Sequence, residues 1–154
     1  MKKLIGTIVL ITAILSFQTA PKKQVPAKPV TNTTAPATGI RVSIIRGQDV
    51  YLKQCLACHQ ANGSGVTMMN APLAGAKAVI ANDKAKLINI VLKGMKGVEI
   101  ENEIYNNVMA PHPELTDQQI ADALTYVRNS WKNKASAVLP SEVAAVRNAG
   151  KKKK

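Results

Sequence analysis

The sequence predicts an all-α domain. Apolar residues recur at helical spacing in several segments of the middle of the chain, most clearly between residues 115 and 131. No segment alternates between apolar and polar residues with the period of two that a half-buried strand requires. The chain has 154 residues, enough for one domain with a modest core. We therefore expect three to five helices around a single centre.

The N-terminal part of the chain has the composition of an export leader followed by a tether. A lysine pair precedes a largely apolar run over residues 4–17, which is shorter than the about 20 apolar residues of a spanning helix. We expect residues 1–20 to be a signal peptide or a short N-terminal membrane anchor. Residues 21–39 are rich in Pro, Thr, Ala and Lys and predict an extended linker. The domain is then periplasmic or extracytoplasmic, with anchoring to the inner membrane as an open alternative.

Most of the formal charge of +12 lies outside the predicted domain. Residues 40–133 carry ten Lys or Arg against eight Asp or Glu, a net charge of +2. No basic stripe interleaved with aromatic side chains runs through them, so we do not expect a nucleic-acid-binding protein. Residues 134–154 are predicted to be a C-terminal extension, with a short helix after Ser141 and a solvated tail at Lys151–Lys154.

Two helices are predicted in the first part of the domain. Residues 43–55 have apolar side chains at helical spacing and form the first. The second is predicted to begin after Asn82, a favourable N-cap residue, and to end at Lys93, since Gly94 follows it. Its apolar stripe consists of Leu87, Ile88 and Val91.

The third helix has the strongest signal in the chain. Thr116 and Gln119 have the spacing of a capping box. Leu115 and Ile120 stand in the positions of a hydrophobic staple. Four apolar residues then fall on one face at spacings of four, three and four: Ile120, Leu124, Val127 and Trp131. We therefore predict a helix within residues 115–131.

The only cysteines of the chain, Cys55 and Cys58, stand three positions apart, and His59 directly follows the second. This C-x-x-C-H pattern is the attachment signature of c-type haem. Two thiols about one helical turn apart can reach the two vinyl groups on one edge of a porphyrin, and the adjacent imidazole then points at the iron. The predicted core is also poor in aromatic residues, and a large flat cofactor would complete it.

Three other kinds of site compete with haem attachment for these residues. A disulfide between Cys55 and Cys58 would close a very small loop and constrain the unfolded chain little. A thioredoxin-like redox pair would need a βαβ unit, of which the sequence shows no sign. A zinc site would need Cys55, Cys58, His59 and His112, but neighbours in sequence such as Cys58 and His59 cannot easily both bind one tetrahedral metal.

Haem iron has a second axial position, for which the sequence offers several sulfur and nitrogen donors. The candidates are Met68, Met69, Met95, Met109 and His112. Methionine more often fills a gap in a core. Met109, however, stands in an irregular loop with prolines just before the third helix, where a side chain can be aimed inward. His112, between two prolines, is the alternative ligand or an exposed loop histidine.

These features together resemble the class I cytochromes c. Gly47, Tyr51 and the C-x-x-C-H motif are spaced as in the N-terminal helix of that family. The segments APLAGA, LINIVLKG, YNNVMAPH and LTDQQIADALTYVRNSW then follow in the order of its haem-loop proline, middle helix, methionine loop and last helix. Over residues 43–133 the chain is similar to a small exported bacterial monohaem cytochrome c, and the cytochrome c domain is placed at residues 40–133.

The resemblance implies a role for each matching residue. Cys55 and Cys58 would form the thioethers, His59 would be the proximal iron ligand and Met109 the distal one. Pro72 would offer its carbonyl to the proximal imidazole. In the packing of the two terminal helices, the resemblance implies that Tyr126 meets Gly47 and Tyr51. Many relatives have proline directly after the ligand methionine, whereas Ala110 intervenes here, so His112 stays as the alternative.

The resemblance also implies a function. The expected protein is a one-electron carrier with one covalent haem c, not itself an enzyme, that serves an oxidase, a reductase or a dehydrogenase. Lys53, Lys77 and Lys96 are candidates for steering an acidic partner, although surface lysines also serve solubility alone. The alternative is a haem enzyme or a gas- or peroxide-responsive domain with a labile sixth ligand.

Overall fold

A computed structural model describes residues 37–151 of the chain, which form six helices and one two-stranded sheet. The elements are α1 (Ala37–Gln54), α2 (Leu56–His59), α3 (Lys77–Ile80), α4 (Lys84–Lys93), β1 (Val98–Ile100), β2 (Glu103–Tyr105), α5 (Asp117–Val127) and α6 (Pro140–Lys151). The predicted leader, most of the predicted linker and the end of the lysine tail lie outside the described residues. The prediction of a mainly helical domain is confirmed.

The small sheet is the departure from the all-α prediction. Strands β1 and β2 have three residues each and pair antiparallel, with Val98 opposite Tyr105. The two residues between them, Glu101 and Asn102, have positive φ angles of 52° and 67°, as a two-residue hairpin turn requires. Strands this short cannot show an alternating pattern, which is why the sequence did not reveal them.

Helix α1 begins earlier than the sequence predicted. It starts at Ala37, inside the segment assigned to the linker, instead of at residue 43. The sequence did not reveal this start because threonine and glycine, which lie near it, are weak helix formers. No proline interrupts the chain between Pro36 and the cysteine motif, so a continuous helix is possible there. Residues 37–39 are therefore helical and not part of an extended tether.

Helices α1 and α5 approach each other closely at Gly47. Gly47 is buried there, and a Cβ atom added to it would overlap the backbone carbonyl of Asp122 and lie 2.8 Å from Cβ of Tyr126. One turn further along α1, the ring of Tyr51 lies 5.3 Å from the ring of Tyr126, centroid to centroid. The packing of Tyr126 against Gly47 and Tyr51 is thus observed, and it fixes the end of α1 that leads into the cysteine motif.

Helix α5 has the capping box that the sequence predicted. The Thr116 side chain accepts a hydrogen bond from the Gln119 amide at 3.2 Å, and the Gln119 side chain accepts one from the Thr116 amide at 2.9 Å. Leu115 and Ile120 are both buried in the main core.

The prediction that Trp131 continues the apolar face of α5 is wrong. The helix ends at Val127, and Trp131 has a positive φ of 51°. Its indole N–H donates to the carbonyl of Ala61 at 2.9 Å, and its ring lies against Gly63. Trp131 therefore lies outside the helix, and a hydrogen bond holds it to the loop that follows the cysteine motif.

Helix α4 confirms its predicted end but not its predicted start. The N-cap is Asp83, whose carboxylate accepts from the Lys86 amide at 3.2 Å, one residue after the predicted Asn82. Both residue types are good caps, so the sequence did not distinguish them. The helix ends at Lys93, and Gly94 follows with a φ of 71°.

The C-terminal extension packs on the rest of the fold. Helix α6 contacts α4 and α5. Val138 and Val143 are buried in the same hydrophobic cluster as Tyr51 and Ile120. Residues after 133 therefore contribute to the core that supports the site.

Candidate functional site

One cavity brings the predicted haem-binding residues together. It contains about 810 Å³ of space not filled by atoms, including the part open to solvent. Cys55, Cys58, His59 and Met109 all line it, although the motif and the methionine are far apart in sequence. Pro72 does not line it. A cavity with two thiols, an imidazole and a thioether on its walls has the donor set that haem c requires.

The local fold of the motif places its three side chains within one turn. The Cys55 amide donates to the carbonyl of Tyr51 at 2.9 Å, which continues the end of α1. The His59 amide then donates to the carbonyl of Cys55, also at 2.9 Å. Both thiols are free. Burial raises the pKa of the Cys55 thiol to about 11, and the neighbouring Cys58 contributes a smaller part of this rise. The Cys55 thiol is therefore protonated at neutral pH.

The imidazole of His59 is oriented by a backbone carbonyl. Its Nδ1 lies 2.9 Å from the carbonyl oxygen of Ala71. A carbonyl only accepts, so the geometry assigns the proton to Nδ1 and leaves Nε2 unprotonated. Burial lowers the pKa of His59, and this effect outweighs the opposite effect of the hydrogen bond to Ala71. The lowered pKa favours the neutral ring, which is the form that binds metals.

The prediction that Pro72 supplies this carbonyl is wrong, because the acceptor belongs to the residue before it. A proline biases the preceding residue toward extended backbone, where neighbouring peptide groups point to opposite sides. With Ala71 on the cavity wall and its carbonyl toward His59, the following carbonyl does not reach the ring.

Met109 is held by the segment that follows α4. Its amide donates to the carbonyl of Met95 at 2.8 Å, and the Met95 amide donates back to the carbonyl of Met109 at 3.0 Å. A Cβ atom added to Gly94 would overlap the Met109 carbonyl and lie 2.9 Å from the nitrogen of Pro111. The glycine therefore permits a contact between the end of α4 and the methionine loop that no other residue would allow.

The other proposed iron ligands divide into two groups. Met69, Met95 and His112 line the same cavity as Met109, whereas Met68 does not and is 59% exposed. His112 is partly engaged elsewhere, because its Nδ1 lies 3.1 Å from a carboxylate oxygen of Glu114.

Comparison with known proteins decides the family. Residues 44–131 match the sequence profile of the family Cytochrome c, which is more than half of the chain. The chain belongs to the cytochrome c family. Its cofactor is accordingly haem c, bound covalently, and the domain is an electron-transfer domain.

Several characterised relatives are similar to this cytochrome. The cytochrome c subunit of alcohol dehydrogenase (quinone) from Gluconacetobacter polyoxogenes is 36% identical over 110 residues, which are 69% of the chain and 23% of that subunit. The gluconate 2-dehydrogenase cytochrome c subunit from Pantoea cypripedii is 36% identical over 108 residues, 66% of the chain and 24% of that subunit. Cytochrome c-552 from Thermus thermophilus is 34% identical over 97 residues, 60% of the chain and 65% of that protein. The cytochrome thus spans about a quarter of the length of the two dehydrogenase subunits.

The mouth of the cavity in this cytochrome carries little charge. Among residues 37–151, Lys96 is the one lysine or arginine on the cavity wall, and no aspartate or glutamate of that range lines it. The other two candidate steering lysines, Lys53 and Lys77, do not line the cavity. Two apolar side chains of the wall are instead well exposed, Met69 at 48% and Val108 at 60%.

The alternative uses of the motif find no support in the fold. Within residues 37–151, no three His, Cys, Asp or Glu side chains form a group suited to a metal ion, as a zinc site would require. The two strands form a hairpin, not the βαβ unit of a thioredoxin-like protein.

In the part of the chain that the structure describes, no helix is long and apolar enough to cross a membrane.

Two features of the site were absent from the sequence predictions. The hairpin places Tyr105 on the cavity wall, where it is 7% exposed. The loop after the motif is tied to the methionine loop, since the Asn107 amide donates to the Met69 carbonyl at 3.2 Å and its side chain donates to Asn70 at 3.0 Å. Asparagine clusters in turns for many reasons, so the sequence gave no specific signal for this pairing.

Proposed function

We propose that this cytochrome is a one-electron carrier in which Cys55 and Cys58 hold haem c through thioethers and His59 and Met109 are the axial iron ligands. The observation that carries the proposal is the convergence of these four side chains on one cavity. When bound, haem c supplies a one-electron couple at its iron, with a reduction potential that histidine and methionine ligands raise relative to two histidines.

The protein's own groups favour electron transfer over substrate chemistry. The hydrogen bond from Nδ1 to the Ala71 carbonyl fixes the His59 ring and makes Nε2 a stronger metal ligand. The backbone pairing with Met95 restrains Met109. With His59 and Met109 as its two axial ligands, the iron would keep no open position for a substrate, and the largely apolar wall would limit its contact with water.

We infer that the domain works outside the cytoplasm and exchanges electrons with a larger redox protein. The apolar run and the linker at the N-terminus support export, with or without retention of an anchor. Two of the relatives are cytochrome c subunits of dehydrogenases, which supports a dehydrogenase as electron donor. An oxidase or a reductase is the expected partner on the other side.

The docking of a partner on the cavity mouth is expected to depend little on salt. Exposed apolar side chains and a single lysine steer a charged partner only weakly. A strongly charged face would instead make the association rate fall steeply as ionic strength rises. The second-order rate of oxidation by a purified cytochrome c oxidase should change by less than about threefold between low and physiological salt. Lys96→Gln should leave that dependence almost unchanged. A steep dependence, abolished by Lys53→Gln with Lys77→Gln, would show that the outlying lysines steer docking.

The carrier is distinguished from a haem enzyme or sensor by two measurements on the matured full chain. A carrier should titrate reversibly with one electron, and its reduced form should not bind carbon monoxide at neutral pH because both axial positions are occupied. Rapid and complete binding of carbon monoxide would reject the carrier in favour of a domain with a labile sixth ligand.

A further inference from the structure

We propose that α6 is a strap that holds the methionine loop in place, with Arg147 as its positioning residue. The inference rests on the proposed function, because it concerns the loop that carries the proposed distal ligand. Arg147 lies beyond residue 131, where the match to the family ends. The strap therefore lies outside the part of the chain that matches the family profile.

Arg147 spans the junction between the methionine loop and α5. Its Nη1 donates to the carbonyl of Pro113 at 3.0 Å, and its Nη2 donates to the carbonyl of Leu115 at 2.7 Å. Its Nε donates to the Asp117 carboxylate in the first turn of α5 at 2.8 Å. The side chain of Arg147 is 23% exposed, so these bonds are partly shielded from water. One planar guanidinium thus ties three consecutive parts of the chain to α6.

The C-terminal part of the loop needs such a contact because its prolines limit the hydrogen bonds that it can make. Pro111 and Pro113 have no amide hydrogen to donate. The first part of the loop is joined to the rest of the fold by Asn107, through Met69 and Asn70, and by the pairing of Met109 with Met95. The His112 amide then donates to the Val91 carbonyl at 2.8 Å. Beyond His112, the guanidinium supplies the connection to the C-terminal side.

The strap itself is firmly attached, as a positioning element must be. The hydroxyl of Thr125 accepts a hydrogen bond from the Val138 amide at 3.0 Å, and the buried Arg128 donates to the Ser136 carbonyl at 2.8 Å. At the start of α6, the ammonium of Lys84 donates to the Ala137 carbonyl at 2.7 Å and contacts Glu142 at 3.0 Å. Val143 is fully buried. These contacts hold α6 without touching the methionine loop.

The separation of the two sets of contacts provides a matched pair of variants. Arg147→Met removes the bonds to the loop and keeps a side chain of similar length. Lys84→Met removes the attachment at the start of α6 and leaves Arg147 intact. Both are made in the full-length protein with haem attached.

The readout is amide hydrogen exchange of Met109 and His112, compared with Leu124 in the core of α5. We expect Arg147→Met to speed exchange at Met109 and His112 by at least about tenfold, or about 1.4 kcal/mol of opening free energy, relative to Leu124. Lys84→Met should change all three amides alike. Arg147→Lys should give an intermediate result, because an ammonium cannot bond both carbonyls in the fork geometry of a guanidinium.

Equal exchange in Arg147→Met and the wild type would overturn the strap. The strap would also be overturned if Lys84→Met selectively sped exchange at the two loop amides to a similar degree, because the loop would then depend only on the docking of α6. The exchange measurement does not depend on which side chain binds iron. The ferric spectrum of the wild type judges the ligand assignment separately, so a failure of the strap and a failure of the proposed function give different results.

Discussion

Alanine in place of Met109 is expected to open the sixth coordination position of the haem iron. The variant should lose the weak long-wavelength absorption band of methionine bound to ferric iron, and its reduction potential should fall. Its reduced form should bind carbon monoxide completely, where the wild type binds none. The reason is that the methionine sulfur is removed while the backbone pairing with Met95, which positions residue 109, remains. Visible spectra with and without carbon monoxide measure both effects.

Two further variants make this result specific. Met69 lines the same cavity but is 48% exposed, so Met69→Ala should keep the band and exclude carbon monoxide. His112→Ala removes the alternative ligand and should also keep the band. A Met109→Ala protein with an unchanged spectrum, together with a His112→Ala protein that binds carbon monoxide, would assign the distal position to His112.

A methyl group at Gly47 is expected to cause a large loss of stability. The added Cβ would overlap the Asp122 carbonyl and approach Cβ of Tyr126 to 2.8 Å, so α1 and α5 must separate. Overpacking against a backbone that cannot move aside costs about 3 kcal/mol. Urea unfolding of the matured Gly47→Ala protein should show this loss as a lower midpoint with a similar slope.

Gly150→Ala is the matched control for this substitution. Gly150 is also helical, but a Cβ atom added to it meets nothing within 4 Å. Alanine there should stabilise α6 by up to about 1 kcal/mol through its better helix propensity. If Gly47→Ala were as stable as the wild type, the close approach of α1 and α5 would not exist in solution.

The parts of the fold that the sequence predicted are those governed by local rules. The capping box at Thr116 and Gln119 and the end of α4 at Gly94 depend on side chains close in sequence, and both are observed. Trp131 departs from the prediction because its tertiary hydrogen bond to Ala61 overrides the helical periodicity. The start of α1 and the short hairpin were missed because weak local propensities conceal them.

The candidate site shows the same division. The motif from Cys55 to His59 is local, and its residue types identify the cofactor almost alone. The choice of the carbonyl that accepts from His59 depends on the path of the chain near Pro72, which sequence spacing does not fix within one residue. The support of Met109 from Gly94 is likewise a long-range contact, invisible until the end of α4 and the methionine loop are seen side by side.

The visible spectrum of the full chain, matured with haem c attachment and recorded in both oxidation states, tests the histidine and methionine ligation of a covalent haem most directly. We expect haem that stays with the polypeptide after denaturation and, in the ferric protein, the weak long-wavelength band of bound methionine. Haem that is extracted on denaturation would contradict the thioethers at Cys55 and Cys58, and covalent haem without that band would contradict Met109 as the distal ligand.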